Sequence, residues 1–243
     1  MLLLKNNQVT FSLDPFLDIE NFLSLKDEFY FLFANNYQKT KDVWNAGGIP
    51  FELNWKYLTE HPMLYKTFHL FKDVDPYINK LSDKTAIAYY LKLKYGCFSP
   101  YKILHLNEYK QPLEDWVTPA IKDWIGTLPY SSIDHVSFFF NDHFCPLKYH
   151  RDYNYFPVEK GYSPTPPDTL QDIIWLRFNI DRGFNFYDID DDGNIKATYP
   201  VQGYSSTFNH YNWHGNTEHS DVPSLTVKLE GTFTEEFKER IYG

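Results

Sequence analysis

Hydrophobic positions in this chain change their spacing near residue 135, from helical intervals before it to alternation after it. Between Ile19 and Tyr37, the residues Ile19, Phe22, Leu23, Phe29, Tyr30 and Phe33 fall near one face of a helix. Leu53 to Lys80 predicts helical pieces interrupted at His61-Pro62 and Asp75-Pro76, because proline lacks an amide hydrogen and restricts the residue before it. Ala86 to Leu93 fits a strand or a helix equally well. Pro112 to Ile125 predicts a short amphipathic helix using Trp116, Ile121, Trp124 and Ile125.

The second half is β-prone over Val136 to Asn141, Lys148 to Tyr155, Ile173 to Ile180, Phe184 to Ile189, Ile195 to Tyr199, Ser205 to Asn212 and Ser224 to Phe233. Short strands separated by Gly, Pro and Asp turns predict a sandwich or barrel. No repeat or long linker divides the halves. The expectation is one domain over 1–243, with a mainly helical region 1–130 packed on a β-core 131–243. Two connections stand out. Pro157 to Pro167 contains four prolines and follows a chemistry-bearing segment, so it reads either as a lid or as an inert surface loop. Asp188 to Gly193 matches the first half of a calcium loop, but Tyr199 occupies the twelfth position, where a bidentate Glu is required. An Asp-Gly hairpin turn is the better reading.

Composition adds limits. With 43% hydrophobic and 19% aromatic residues among 243, the chain can fill a sizeable core and is not a disordered sequence. A formal charge of −9 argues against a nucleic-acid partner, whose affinity rests on phosphate neutralisation. Two cysteines suggest neither a disulfide framework nor a Cys-rich zinc site. The Met1-Leu2-Leu3-Leu4 run is too short for a signal peptide, and no apolar stretch reaches membrane-spanning length. A soluble, cytoplasmic protein without a membrane partner is expected. Lysine outnumbers arginine 19 to 4, as an AT-rich coding sequence would produce, which makes Arg177 inside an apolar strand conspicuous.

The chemistry concentrates in His150-Arg151-Asp152, in Trp213-His214-Gly215 and in Lys228. In a strand, residues two apart share a face, so His150 and Asp152 can hold one metal ion, and a later histidine can complete a two-histidine, one-carboxylate facial triad. That ligand set leaves positions open on non-haem Fe(II) for a cosubstrate and dioxygen. A second His-x-Asp, His219-Ser220-Asp221, has no histidine after it and cannot open such a triad. His210 and His214 compete for the distal place, and they share a face if their strand runs straight. His214 is preferred, since Gly215 lets the chain turn close to a metal. His135 and His143 have no matching spacing.

In Ser224 to Glu230 polar and apolar residues alternate, placing Lys228 with Thr226 and Ser224. If that face lines a barrel, the ammonium needs an anionic partner, which a carboxylate of 2-oxoglutarate would supply with help from a hydroxyl of Thr226 or Ser224. If it looks outward, Lys228 is an ordinary solvated lysine. Ile173 to Ile180 alternates too, with Trp175, Arg177 and Asn179 on one face. Those polar groups face either a cavity or solvent, and Arg177 could equally be a structural ion pair.

These segments resemble the Fe(II)/2-oxoglutarate-dependent oxygenase superfamily, and within it the aspartyl/asparaginyl β-hydroxylase-like branch. The resemblance covers roughly residues 130 to 235 and rests on His150-Arg151-Asp152, on Gly203…Phe208…Trp213-His214-Gly215 and on the Lys228 strand. It implies an α+β chain with a double-stranded β-helix (jelly-roll or cupin-type) core behind a helical N-terminal region. It implies Fe(II) held by His150, Asp152 and His214, and 2-oxoglutarate held by Lys228, with Arg177, Asn179 and Thr226 facing cosubstrate and substrate. The implied reaction consumes dioxygen and hydroxylates an unactivated C–H bond of a peptide side chain or small molecule, releasing succinate and carbon dioxide. The chain departs from the pattern in two places. Lys228 is followed by Glu230 where the superfamily often has Arg followed by Ser, which keeps charge but loses bidentate geometry. Asp152 is present where the aspartyl/asparaginyl hydroxylases proper lack the carboxylate. Two other classes fit the same residues: a cupin-like metal- or ligand-binding protein without turnover, and a zinc hydrolase. Lys228 separates them, because only the oxygenase needs a carboxylate anchor.

Overall fold

The computed structural model describes residues 3–42, 75–95, 102–141, 172–215 and 224–243. Its strands are β1 (Thr10–Ser12), β2 (Lys41–Asp42), β3 (Lys102–His105), β4 (Tyr130–Asn141), β5 (Asp172–Arg177), β6 (Asn185–Ile189), β7 (Ile195–Pro200), β8 (Ser205–Phe208), β9 (Trp213–Gly215) and β10 (Ser224–Phe233). The helices are α1 (Ile19–Ser24), α2 (Lys26–Asn35), α3 (Lys84–Tyr95), α4 (Pro119–Gly126) and α5 (Glu235–Tyr242). This is a mixed α and β molecule with antiparallel sheets. Seven strands form a main sheet in the order β1-β8-β5-β10-β4-β3-β2, and β7-β6-β9 form a smaller one.

Alternation along β10 explains the layering. Leu225, Val227 and Leu229 face one way, and with Val136, Phe138 and Phe140 of β4 and Ile174 and Leu176 of β5 they pack against the helices. Phe22 of α1 stacks on Phe178 at 4.2 Å, and Phe29 of α2 meets Phe138 at 5.2 Å. Thr226, Lys228 and Glu230 face the other way, toward a second apolar cluster of Ile173, Trp175, Phe184, Phe186 and Phe208. Trp175 of the main sheet stacks on Phe184 at 4.8 Å, and Phe208 meets Phe186 of β6 at 4.7 Å. The central strand is therefore buried on both faces, one lined by helices and the other by the small sheet.

Several elements differ from the sequence expectation for identifiable reasons. The helix read over Ile19 to Tyr37 is two helices, with Leu25 (φ −83, ψ 2) ending one and opening the next. Asp18 caps the first by accepting from the Asn21 amide at 3.0 Å. The ambiguous Ala86 to Leu93 is helical, and Asp83 supplies the start signal by accepting from the Ala86 amide at 2.8 Å. The helix read from Pro112 begins only at Pro119, since proline suits the first helical turn and holds Thr118 extended. Ser205 to Asn212 is not one strand: Asn209 accepts from the Tyr211 amide at 3.0 Å, making a turn that separates β8 from β9. The N-terminal region also contributes strands, because β1 pairs with β8 and β3 with β4. Of Leu53 to Lys80, residues 53–74 lie outside the described residues, as do Lys148 to Tyr155 and Pro157 to Pro167. The Asp188 to Gly193 segment forms the expected hairpin turn, with Asp190 accepting from the Asn194 amide at 2.8 Å and Gly193 at φ +84.

One junction ties the N-terminal strand to the sheet. The Asp14 carboxylate accepts from the amides of Tyr204 at 2.9 Å and Ser205 at 2.6 Å, and from the Ser205 hydroxyl at 2.7 Å. Gly203 adopts φ +72 beside it, and a Cβ there would collide with Asp14 Oδ2. Gly203→Ala should therefore lower stability by about 1–3 kcal/mol through backbone strain and displacement of that carboxylate. Urea unfolding of the variant measures this, and a change within about 0.5 kcal/mol of zero, the range of an ordinary surface substitution, would contradict it.

Candidate functional site

The polar face of β10 fixes where chemistry can occur. Cross-strand partners share a face, so Lys228 sits in a row with Ser137 of β4 on one side and Trp175 of β5 on the other. Trp175 in turn pairs with Ser206 of β8. One step along, Thr226 lies between Phe139 and Arg177, and Glu230 lies between His135 and Ile173. Lys228 is only 8% exposed, so the face lines the interior between the sheets, and the solvated-lysine reading is excluded.

The lysine has an anionic neighbour within the chain. Its Nζ lies 3.1 Å from Glu230 Oε1, and His210 Nδ1 lies 3.4 Å from the same oxygen. His135 Nδ1 is 3.4 Å from Glu230 Oε2. His105 continues the chain of contacts, its Nδ1 2.9 Å from the Ser137 hydroxyl and its ring 4.9 Å from that of His135. Burial alone would push the Glu230 carboxyl up; the Lys228 ammonium and the His135 and His210 rings outweigh it and hold the carboxyl down at about 2. Sequence reasoning misses this network, since it gives His135 no role. The available signal is the alternation His135-x-Ser137-x-Phe139 on a strand lying opposite Lys228-x-Glu230.

His214 occupies a different setting, on β9 of the small sheet. It is 3% exposed, opposite Phe186 in register, and its ring lies 5.7 Å from Phe184 and 5.5 Å from Phe186. Its Nδ1 is 2.8 Å from the Asn212 carbonyl, an acceptor, so Nδ1 carries the proton and Nε2 is the nitrogen able to ligate. His210 and His214 do not share a strand face, because the Asn209 turn intervenes. The structure sets His210 against Glu230 and His214 among the aromatic side chains of the small sheet.

Arg177 has a structural engagement. Its guanidinium donates to the Gly203 carbonyl, to Val201 O at 3.2 Å and to Arg182 O at 3.4 Å, so it holds the turn before β8. Asn179 is not in β5; it lies past the strand end, half-buried, accepting from the Asp181 amide at 2.9 Å. Thr226 is buried next to Lys228 on the same face. His150 and Asp152 lie outside the described residues. Among the described residues no group of three or more His, Cys, Asp or Glu side chains is arranged to hold a metal, and no helix is long and apolar enough to cross a membrane.

No family model matches the chain, and no curated protein matches it. Solved structures with distant likeness include an oxidoreductase of the 2OG-Fe(II) oxygenase family from Burkholderia pseudomallei, 8% identical over 54% of this chain and 65% of that one, with a TM-score of 0.32. A prolyl hydroxylase from Trichoplax adhaerens, in complex with a peptide fragment of the hypoxia inducible factor oxygen degradation domain, is 9% identical over 95% and 99%, with a TM-score of 0.31. A full-length Neurospora crassa protein in complex with alpha-KG is 11% identical over 90% and 85%, with a TM-score of 0.27. The chain spans less than two thirds of the first of these structures.

The Glu230 network has a pH signature. A carboxyl held at about 2 when folded, against 4.5 for an unperturbed glutamate, contributes stability that is fully present above about pH 4.5 and is lost as pH falls toward 2. Glu230→Gln should flatten that acid limb and lower stability at neutral pH, because Lys228 loses its counter-charge. Urea midpoints measured from pH 7 down to 2 test this, and parallel curves for the two proteins would count against it.

Proposed function

We propose that this chain is an Fe(II)- and 2-oxoglutarate-dependent dioxygenase on a double-stranded β-helix, hydroxylating an unactivated C–H bond of a peptide side chain or small molecule. The observation that carries the reading is His214. It is buried on the small sheet, with Nδ1 donating to a backbone carbonyl, a tautomer that puts the ring's lone pair on Nε2, and the facing sheet carries a buried lysine. The order of the strands supports the β-helix: after β5 in the main sheet the chain passes to β6 and β7 in the small sheet, returns to β8, crosses to β9 and returns to β10. Alternation between two facing sheets is what a jelly roll requires, and it supports that reading.

In this reading His150, Asp152 and His214 hold the metal. The donor set fits Fe(II), two imidazoles and one carboxylate with positions left open. Bound Fe(II) with 2-oxoglutarate and dioxygen supplies the oxidation, with succinate and carbon dioxide as co-products. The chain's own residues bind and orient. Lys228, assisted by Thr226, anchors the cosubstrate, and Glu230 lies 3.1 Å from its ammonium. Arg177 braces the 201–203 turn that leads into β8. Phe184, Phe186 and Phe208 pack around the His214 ring and keep water from it. The aspartyl/asparaginyl hydroxylase-like branch rests on sequence resemblance alone, with Asp152 its main departure.

The reading is tested by adding Fe(II) and 2-oxoglutarate anaerobically and looking for the visible charge-transfer band of the chelate, then admitting oxygen and measuring succinate. His150→Ala, Asp152→Ala and His214→Ala should each lose tight Fe(II) binding, and His210→Ala should keep it. Loss in His210→Ala with retention in His214→Ala would reverse the ligand assignment. Lys228→Ala should bind iron normally but 2-oxoglutarate roughly ten- to a hundredfold more weakly, the usual worth of a charged hydrogen bond. Unchanged 2-oxoglutarate affinity would leave a metal-binding protein without a cosubstrate anchor.

A further inference from the structure

Lys228 and Glu230 stand two residues apart on one face of β10, with the carboxylate 3.1 Å from the ammonium. An anion arriving at Lys228 therefore meets a charge that is already balanced from within the chain. A second carboxylate in that interior leaves two negative groups against one positive group, and a buried charge without a partner is strongly disfavoured. Entry of an anion requires a further positive charge or the departure of Glu230.

The surroundings of Glu230 supply both. His135 stands opposite it on β4, with Nδ1 3.4 Å from Oε2 and 3.4 Å from the Ser137 hydroxyl. His210, from the turn between β8 and β9, brings its Nδ1 to 3.4 Å from Oε1. Both separations exceed the roughly 2.7–2.9 Å of a charge-assisted bond, so each contact can shorten once its ring gains a proton. The other titratable groups around the cluster are His105, against Ser137 and the His135 ring, and Tyr211, ring to ring with His210 at 4.5 Å. Asp172 of β5 lies opposite Gly231 and 3.6 Å from Lys238, and Tyr130 of β4 donates to the Leu229 carbonyl at 3.0 Å. Burial would raise the Glu230 carboxyl, but the Lys228 ammonium and the two imidazoles hold it down at about 2, so it is charged throughout the neutral range. An imidazole is the group that changes charge near neutral pH. The His135 side chain is 19% exposed, which gives it a path to solvent.

We infer that Glu230 is a built-in competitor for the Lys228 ammonium, and that a carboxylate ligand enters only by exchange. The ligand takes the ammonium, Glu230 passes to His135 and His210, and one of these imidazoles takes a proton from solvent. This rests on the reading of Lys228 as a cosubstrate anchor, and adds to it a control on when the anchor is open. Before the exchange, one ammonium and one carboxylate sum to zero. After it, one ammonium, one imidazolium and two carboxylates also sum to zero. The anion is therefore bound together with one proton, and more tightly in mildly acid than in mildly alkaline solution.

The test is calorimetric titration of 2-oxoglutarate into the full chain loaded anaerobically with Fe(II), in two neutral buffers of different ionisation enthalpy. The difference in heat between the buffers counts the protons exchanged. About one proton should be taken up per ligand, and affinity should fall by up to about tenfold per pH unit as pH rises through the neutral range. Glu230→Gln should bind 2-oxoglutarate roughly tenfold more tightly and take up no proton, because an amide competes weakly for an ammonium. Replacing both histidines, His135→Asn with His210→Asn, keeps a side-chain donor at each position but removes the titration, and should abolish the uptake. The measurement on the unaltered chain decides the matter even if a variant fails to fold. Binding without proton uptake and with the same affinity at every pH, while Lys228→Ala loses binding, overturns this inference and leaves the proposed function standing. Uptake that persists in the double histidine variant overturns it too. Equal binding by Lys228→Ala, or none by the unaltered chain, overturns the reading of Lys228 and this inference with it.

Discussion

A charge buried at the centre of the main sheet sets the terms for everything around it. Lys228 stands on β10, the middle strand in the sheet order, and its ammonium lies between two layers and away from water. An isolated ammonium there is untenable; Glu230 pairs with it, His210 and His135 in turn contact Glu230, and His105 contacts Ser137 alongside. The polar row costs the interior part of its apolar contact. The aromatic cluster of Trp175, Phe184, Phe186 and Phe208 restores it next door, and the other face of β10 makes up more through Leu225, Val227 and Leu229 against the helices.

The β-half was legible because alternation is a local signal. Ser224 to Phe233 reads as a strand and is one from end to end, with clean alternation from Ser224 to Glu230 and register shifts against β4 only after it. Lys228 could be placed on the face with Thr226 for the same reason, but whether that face looked inward or outward was not written in the strand. Only the small sheet packed over it decides that, and pairing between distant strands leaves no trace in a single segment. His210 and His214 show the other kind of failure. Four residues apart, they share a face on any straight strand, but Asn209 makes a turn that parts them, its side chain accepting from the Tyr211 amide and its carbonyl from the Asn212 amide.

Arg177 is instructive about what a rare residue signifies. Its isolation in an apolar strand marked it correctly as needing a special explanation, and the alternation put it with Trp175 on the interior face. What the sequence could not supply was the partner, three backbone carbonyls from a turn 24 to 26 residues away and from Arg182. A planar guanidinium with several donors suits that task in a way a lysine does not. Asn179 lay outside the reach of the same logic, because β5 ends at Arg177 and the period-two pattern ends with it. His135 was passed over for the opposite reason: nothing in its own neighbourhood suggests chemistry until β10 is laid beside β4.

The position of β10 in the sheet also governs how the molecule comes into being. It is the last strand in sequence and a central one in space, hydrogen-bonded to β4 through Ser224↔Asn141 to Phe233↔Tyr130 and to β5 through Thr226↔Arg177 to Gly231↔Asp172. During synthesis, β4 and β5 leave the ribosome with no common neighbour and with open edges, and they stay so until residue 233 has emerged. The parts β2-β3-β4 and β1-β8-β5 can pair ahead of it, but they cannot be joined into one sheet before β10 is in place. Joining them brings together segments far apart in sequence, which slows closure and leaves the β-prone aromatic segments exposed to association with other chains in the interval.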